Sequence, residues 1–377
     1  MTYVFNRILT IRTLLLAGML MTLTPSLFAE PYLAVRTGQK CSACHVNPLG
    51  GGARNSFGSY YGSQVLPAKA GDAQLFDNGM ISEILRIGGD LRVNLNTSDV
   101  EGADATRSFN TQSGQLYFAL QPKGTPVMLY FDQQFAPGSA INREAWAMLK
   151  LGDTQHYLKA GTLMLPFGYR FEDDTALVRT LSKKTFDTND TGVELGLEFS
   201  RATVNVVVSN GSSSANNPDD KFSYTLRGEW IGSFLRAGAS AQQNTTELAG
   251  VEAEETLFAI FGGANLWGFN FIAEVDSVEA VVSGAGESAG DNTTPQLAGL
   301  VELNRELTKG YNLKLTHEWL DPNTDIDNNQ RTRNSLLLEA TPYASVQFRT
   351  GIRKGDDIPQ REAGNFTEWF LQMHLYY

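Results

Sequence analysis

From Leu85 to the C terminus the chain alternates apolar and polar residues in stretches of roughly ten, the period of a strand with one face in lipid and the other in water. Phe222, Tyr224, Leu226 and Trp230 alternate with Ser223, Thr225, Arg227 and Glu229, and Tyr311, Leu313, Leu315 and Trp319 with Asn312, Lys314, Thr316 and Glu318. Further on, Val346, Phe348 and Ile352 alternate with Gln347, Arg349 and Arg353. Only helices and closed barrels satisfy every backbone polar group inside a bilayer. Beyond residue 29 no apolar run reaches the roughly eighteen residues of a spanning helix. The expected class is therefore all-β: a transmembrane antiparallel β-barrel of about 16 strands over residues 85–377, preceded by a short irregular segment.

The connections alternate in length. Gln121 to Thr125, Arg201-Ala202, Ile231 to Ser233 and Leu266 to Gly268 are short, whereas Asp99 to Arg107, Pro166 to Asp190, Ser277 to Thr294 and Pro322 to Arg331 are long. Short periplasmic turns and long outer loops mark a bacterial barrel, and an even strand count returns both ends to the periplasm. In the last stretch Trp369, Leu371, Met373, Leu375 and the terminal Tyr377 share one face. An aromatic terminus preceded by that alternation resembles the recognition signal of outer-membrane barrel assembly. Gly161-Thr162-Leu163-Met164-Leu165-Pro166-Phe167-Gly168 and the loop that follows resemble the third-loop region of sixteen-stranded porins, where the loop folds into the lumen and narrows it.

Residues 1–29 read as an export signal, with Arg7 and Arg12, the apolar run Leu14 to Leu20, and Ala29 ahead of Glu30. Its removal takes two Arg and no acid, so the net charge goes from −11 to about −13, which disfavours a nucleic-acid partner. The 2 cysteines lie together in Cys41-Ser42-Ala43-Cys44-His45 and so are not a disulfide framework. In a C-x-x-C-H run the two thiols add across the haem vinyl groups and the adjacent His takes the iron. One haem c is expected, held covalently by Cys41 and Cys44, with His45 as proximal iron ligand and no catalytic acid or base.

Residues 30–84 are a monohaem segment of roughly fifty-five residues, too few to enclose a haem on their own. They are expected to act as a plug at the periplasmic side or in the lumen, with Pro48, Gly50-Gly51-Gly52 and Gly58 shaping a compact loop. Among the 4 histidines, His374 has lumen-facing parity near a periplasmic C terminus and is the favoured distal ligand, whereas His317 shares the outward face with Leu315 and Trp319. His156, Met80, Met128, Met148 and an open sixth position remain alternatives.

Ala34-Val35-Arg36-Thr37-Gly38-Gln39-Lys40 leading into Cys41 to His45, with Pro48 and Phe57-Gly58, resembles the leader of fused outer-membrane cytochrome-porins that oxidise ferrous iron; Gly50-Gly51-Gly52 and Ser59 depart from that family's stretch. The resemblance implies an electron conduit between an extracellular donor or acceptor, ferrous iron being favoured, and a periplasmic electron-carrier cytochrome. Acidic groups expected on outer loops suit a cationic donor: Asp99, Glu101 and Asp104; Glu172, Asp173 and Asp174; Glu252, Glu254 and Glu255; Asp321, Asp325 and Asp327; Asp356 and Asp357. The competing expectation is a diffusion porin with a haem-bearing plug as stopper or sensor, in which Arg227, Lys314, Arg349 and Arg353 select solutes. Either way, outer-membrane lipid surrounds the barrel.

Overall fold

A computed structural model of the chain describes residues 30–71, 80–186, 188–212, 216–248, 251–283, 292–356 and 364–377. The expected export signal and Asp357 lie outside the described residues. The first strands are β1 (Leu85–Val100), β2 (Thr106–Leu120), β3 (Val127–Ala136), β4 (Ile141–Lys150) and β5 (Tyr157–Leu163). There follow β6 (Asp190–Glu198), β7 (Ala202–Ser209), β8 (Ser223–Ile231), β9 (Leu235–Leu248), β10 (Val251–Leu266) and β11 (Phe269–Ser283). The last are β12 (Asn292–Thr308), β13 (Tyr311–Asp321), β14 (Arg331–Tyr343), β15 (Val346–Asp356) and β16 (Phe366–Tyr376). Each pairs antiparallel with its neighbours in chain order, and β16 returns to β1, from Asp90 opposite Tyr376 to Val100 opposite Phe366. Closure leaves no unpaired edge, the condition for strands to cross lipid.

The alternation sorts side chains as the sequence requires. In β8, Tyr224, Leu226 and Trp230 are exposed on the outside, while Ser223, Thr225, Arg227 and Glu229 are buried facing the lumen. In β16, Trp369, Leu371 and Leu375 face out, and Phe370, Gln372, His374 and Tyr376 face in. At the short-turn end Phe199, Phe234, Trp267 and Tyr343 are exposed, the residue types of the aromatic girdles that flank the apolar band of such barrels.

Two expected long loops are shorter than their sequences imply. Between Asp99 and Arg107 the strands stay paired to Ser98 opposite Thr106. β11 runs on to Ser283 and β12 starts at Asn292, inside the span read as the loop Ser277 to Thr294. Glu252, Glu254 and Glu255 belong to β10 and pair with β9 rather than lying in a loop. A ribbon that satisfies its own backbone continues past the bilayer, and polar side chains there do not mark its end.

Part of the lumen is filled. Short helix α1 (Pro31–Thr37) begins with Pro near its first turn and ends on Gly38 at φ 60, whose N–H bonds the Val35 carbonyl, a left-handed cap suited to glycine. It packs on β10 and β11, burying Tyr32, Leu33 and Val35 against Leu257, Phe261 and Ile272. Full burial of such a Leu or Val contributes roughly 1.5–3 kcal/mol. These inward apolar residues depart from the polar lumen expected of the alternation, because on β10 to β12 the inner face meets helices instead of water.

The contacts of residues 30–71 cluster at the short-turn end. Lys40 pairs with Glu198 at 2.7 Å and Arg36 with Glu306; Ala68 donates to the Thr341 carbonyl at 2.8 Å, and Tyr376 Oη to the Gly62 carbonyl at 3.1 Å. A second short helix, α2 (Ser56–Tyr60), is capped by the Asn55 side chain, and a third, α3 (Leu177–Ser182), lies in the long β5–β6 connection and packs on β11 to β13.

Candidate functional site

Cys41 to Ala43 form a single 3-10 turn, so that the N–H groups of Cys44 and His45 both bond the Cys41 carbonyl, at 3.1 and 3.0 Å. Asn55 ties this turn to α2: its side-chain amide donates to the Ser42 and Ala43 carbonyls at 3.0 Å each, and its N–H to the Cys44 carbonyl at 2.9 Å. Gly58 permits that approach, since a Cβ there would stand 2.0 Å from the Cys44 oxygen. Gly50, Gly51 and Gly52 turn back with φ of 87, 74 and 61, a left-handed run closed to most side chains. A Cβ on Gly52 would meet Tyr130 Oη at 1.9 Å.

Both cysteines are free thiols. Burial pushes the Cys41 thiol up, and burial together with Cys41 pushes Cys44 up to about 11. His45 is buried and neither ring nitrogen has a hydrogen-bond partner. Burial, then the charges of Arg54 and Arg170, lower His45 to about 3, against an opposing pull from the Gly51 and Gly52 backbone. Two free thiols and a neutral, unpartnered imidazole make a donor set that fits a c-type haem. They line a small open-mouthed cavity of about 60 Å³. Met164, Arg170 and Arg236 also line it.

The loop after β5 enters the barrel. Arg170 donates to the Gly50 carbonyl at 2.7 Å and pairs with Glu144 at 3.3 Å. Glu144 accepts from the Asn47 amide at 3.1 Å and from the Met164 N–H at 3.2 Å. One buried carboxylate thus joins the segment that carries Cys41 to His45 to the loop. Glu172 pairs with Arg92 at 3.1 Å and Arg349 at 3.0 Å, and Asp173 with Arg353 at 2.8 Å and Arg333 at 3.1 Å. Asp174 pairs with Arg179 at 2.9 Å. The acidic run 172–174, expected on an outer loop, is therefore consumed inside the lumen, because the loop folds in and meets inward arginines. Asp325 and Asp327 do lie exposed in the β13–β14 connection.

Arg227, Lys314, Arg349 and Arg353, the expected selectivity groups, are all ion-paired. Arg227 and Arg236 share Glu229, and Lys314 pairs with Glu30 at 2.6 Å and Glu339 at 3.4 Å. They hold the plug and the inserted loop. Burial opposes the charge of Asp173, but Arg353, Arg333 and hydrogen bonds from Thr175 outweigh it and hold the carboxyl well below its usual range. A depressed folded-state value gives stability that is present above the unfolded value of about 3.9 and is lost as pH falls through the folded one. Docking of this loop should accordingly persist from neutral pH to about pH 4. Proteolysis within 164–189 followed against pH tests this, with Asp173→Asn expected to raise cleavage already at neutral pH.

His374 lies on a second and larger cavity, about 340 Å³, together with His45, Arg54 and Tyr376. Its Nδ1 meets the Gln347 amide oxygen at 3.0 Å, and its Nε2 is buried without a partner. This cavity reaches from Pro137 and Asp174 at the long-loop side to His45 and Tyr376 at the short-turn side. His317 faces outward beside Trp319, and His156 Nδ1 accepts from the Glu198 N–H at 2.8 Å. Met80 is exposed, and Met148 packs with Tyr130 and Trp146. The sequence reading missed Met164, Glu144 and Arg170. Leu163 to Gly168 was visible as a loop entry, but nothing local says that this loop turns toward Cys41.

No protein-family model and no curated protein sequence matches the chain. Solved structures do match. An anion-selective porin from Comamonas acidovorans superposes with a TM-score of 0.60 at 10% identity, covering 78% of this chain and 99% of that one. The outer-membrane protein OmpT of Vibrio cholerae gives 0.60 at 14% identity, covering 78% and 99%. The outer-membrane channel DcaP of Acinetobacter baumannii gives 0.61 at 12% identity, covering 79% and 99%. The chain shares the closed sixteen-strand architecture of outer-membrane porins, and that fold supports a bacterial outer-membrane location. These comparisons do not touch the resemblance to fused cytochrome-porins, which rests on the motif residues.

Proposed function

We propose that this chain is an outer-membrane barrel of porin architecture whose lumen holds one covalent c-type haem, and that it passes single electrons between an extracellular donor and a periplasmic cytochrome. The observation that carries this reading is the placement of Cys41-x-x-Cys44-His45 inside the barrel, with Cys44 and His45 buried and both His45 nitrogens unpartnered. Cys41 and Cys44 would hold the macrocycle and His45 its iron. A haem bound there supplies a one-electron couple whose potential depends on ligation and burial. The chain's part is to orient His45, exclude water and leave an approach. The larger cavity supports an approach from the long-loop side, and Asp90, Asp132 and Glu172 on its wall stand beside Arg54, Arg92, Arg143 and Arg170. Ferrous iron is the favoured donor: it loses one electron to the protein, and an oxidised periplasmic cytochrome takes that electron away. Residues 30–71, packed at the short-turn end, suit that second exchange.

Solute diffusion is the second reading, and the porin comparisons favour it more directly than electron transfer because they bear on the barrel itself. The inserted segments and the paired charges of the lumen favour the first. Planar-bilayer recordings on the intact protein separate the two. Single-channel conductance well below that of an open porin is expected, alongside reduction of the protein by ferrous iron in stopped-flow mixing. Porin-sized conductance without such reduction would overturn the electron-conduit reading in favour of the channel.

A further inference from the structure

We propose that Met164, carried into the lumen by the loop after β5, is the second axial ligand of the haem. This inference rests on the haem reading above. Attachment to Cys41 and Cys44 requires the ring to stand where both thiols open, and the cavity they share is lined by His45 and Met164. The cavity that holds His374 is lined by His45 but by neither cysteine. His374 thus shares a cavity with His45 but not with the two thiols.

Met164 is buried at 4% exposure just after Leu163, the last residue of β5. Its placement is fixed by a shared clasp. Glu144, 1% exposed, accepts from the Met164 N–H and from the side-chain amide of Asn47, which is itself fully buried two residues beyond His45. The backbone that presents the thioether and the backbone that presents the imidazole thus hang on one carboxylate. Arg170, six residues beyond Met164, closes the same clasp through Glu144 and the Gly50 carbonyl.

Two other thioethers of the described residues stand away from the cysteines. Met80 is exposed, with Sδ within 3.8 Å of Ser56 Oγ, and Met148 packs in the cluster of Tyr130, Trp146 and Tyr157. A thioether is a neutral, soft ligand suited to an apolar pocket, and His/Met ligation raises the reduction potential of a haem.

The test uses the full-length haem-loaded protein in detergent. Wild type should show the weak sulfur-to-iron charge-transfer band of the ferric state and should not bind carbon monoxide rapidly when reduced. Met164→Ala should lose the band and bind carbon monoxide, and Met164→His should lower the midpoint potential while keeping a six-coordinate spectrum. His374→Ala should keep the band. Heat-modifiable mobility of each variant shows that the barrel is intact, and Met164→Leu provides an isosteric replacement should Ala disturb folding. A band that survives Met164→Ala and Met164→Leu, or one lost in His374→Ala, overturns the assignment. Absence of covalent haem stain in wild type overturns the underlying haem reading and this assignment with it, a result distinct from stained protein with the wrong ligand.

Discussion

Replacing Cys41 and Cys44 together by Ala is expected to abolish covalent haem and its absorbance while leaving a barrel that still shifts its gel mobility on heating. The loss should be complete, because the thioether links form only through these 2 cysteines. The barrel should survive because its closure is a property of β1 to β16, whose pairing involves neither cysteine. The turn around them is held by Asn55 and by the Cys41 carbonyl, groups that Ala leaves in place. Haem-specific peroxidase staining on denaturing gels reads the result, and a retained stain would defeat the haem reading outright.

The second large effect concerns stability. Lys159 of β5 lies opposite Glu194 of β6, and their charged groups meet at 2.5 Å with both side chains at 0% exposure. Glu194 also accepts from Tyr157 Oη at 2.6 Å and from the Asn205 amide at 2.9 Å. Lys159→Met leaves a buried carboxylate with neutral donors alone, and breaking such a pair costs about 3–5 kcal/mol. Lys159→Met combined with Glu194→Gln removes both charges and should recover much of the loss, since the cost lies in the uncompensated charge. Urea-induced unfolding followed by gel mobility measures both. A single variant as stable as wild type would show that water reaches Glu194.

The inserted loop explains why the basic residues of the lumen do not line an open passage. Several arginines that a porin could present to a passing anion are here met by an acid: Arg349 by Glu172 and Glu339, Arg353 by Asp173, Arg227 by Glu229. Leaving any of these charges buried and unpaired would be costly, so the loop and the plug are bound by the same groups that an open channel would leave to solvent.

The sequence by itself determined the barrel, because alternation is a local property: which face each side chain takes follows from its parity along the strand, as Tyr224 and Ser223 or Leu375 and His374 show. The proposal of a haem at Cys41, Cys44 and His45 likewise starts from their spacing in sequence. The sequence also placed His374 on the lumen face. What parity cannot say is how far along the lumen a side chain sits or what is folded into it. That Glu172 to Asp174 point inward depends on Arg92, Arg333, Arg349 and Arg353, which come from β1, β14 and β15. That Leu257 and Ile272 face inward against helix α1 depends on residues more than two hundred positions away. The same holds at the site. Glu144 joins Asn47 to Met164 only because β4 stands beside the plug and the loop at once, so the cavity next to Cys41 was decided by tertiary structure, where long-range pairing of buried charges outweighs local pattern.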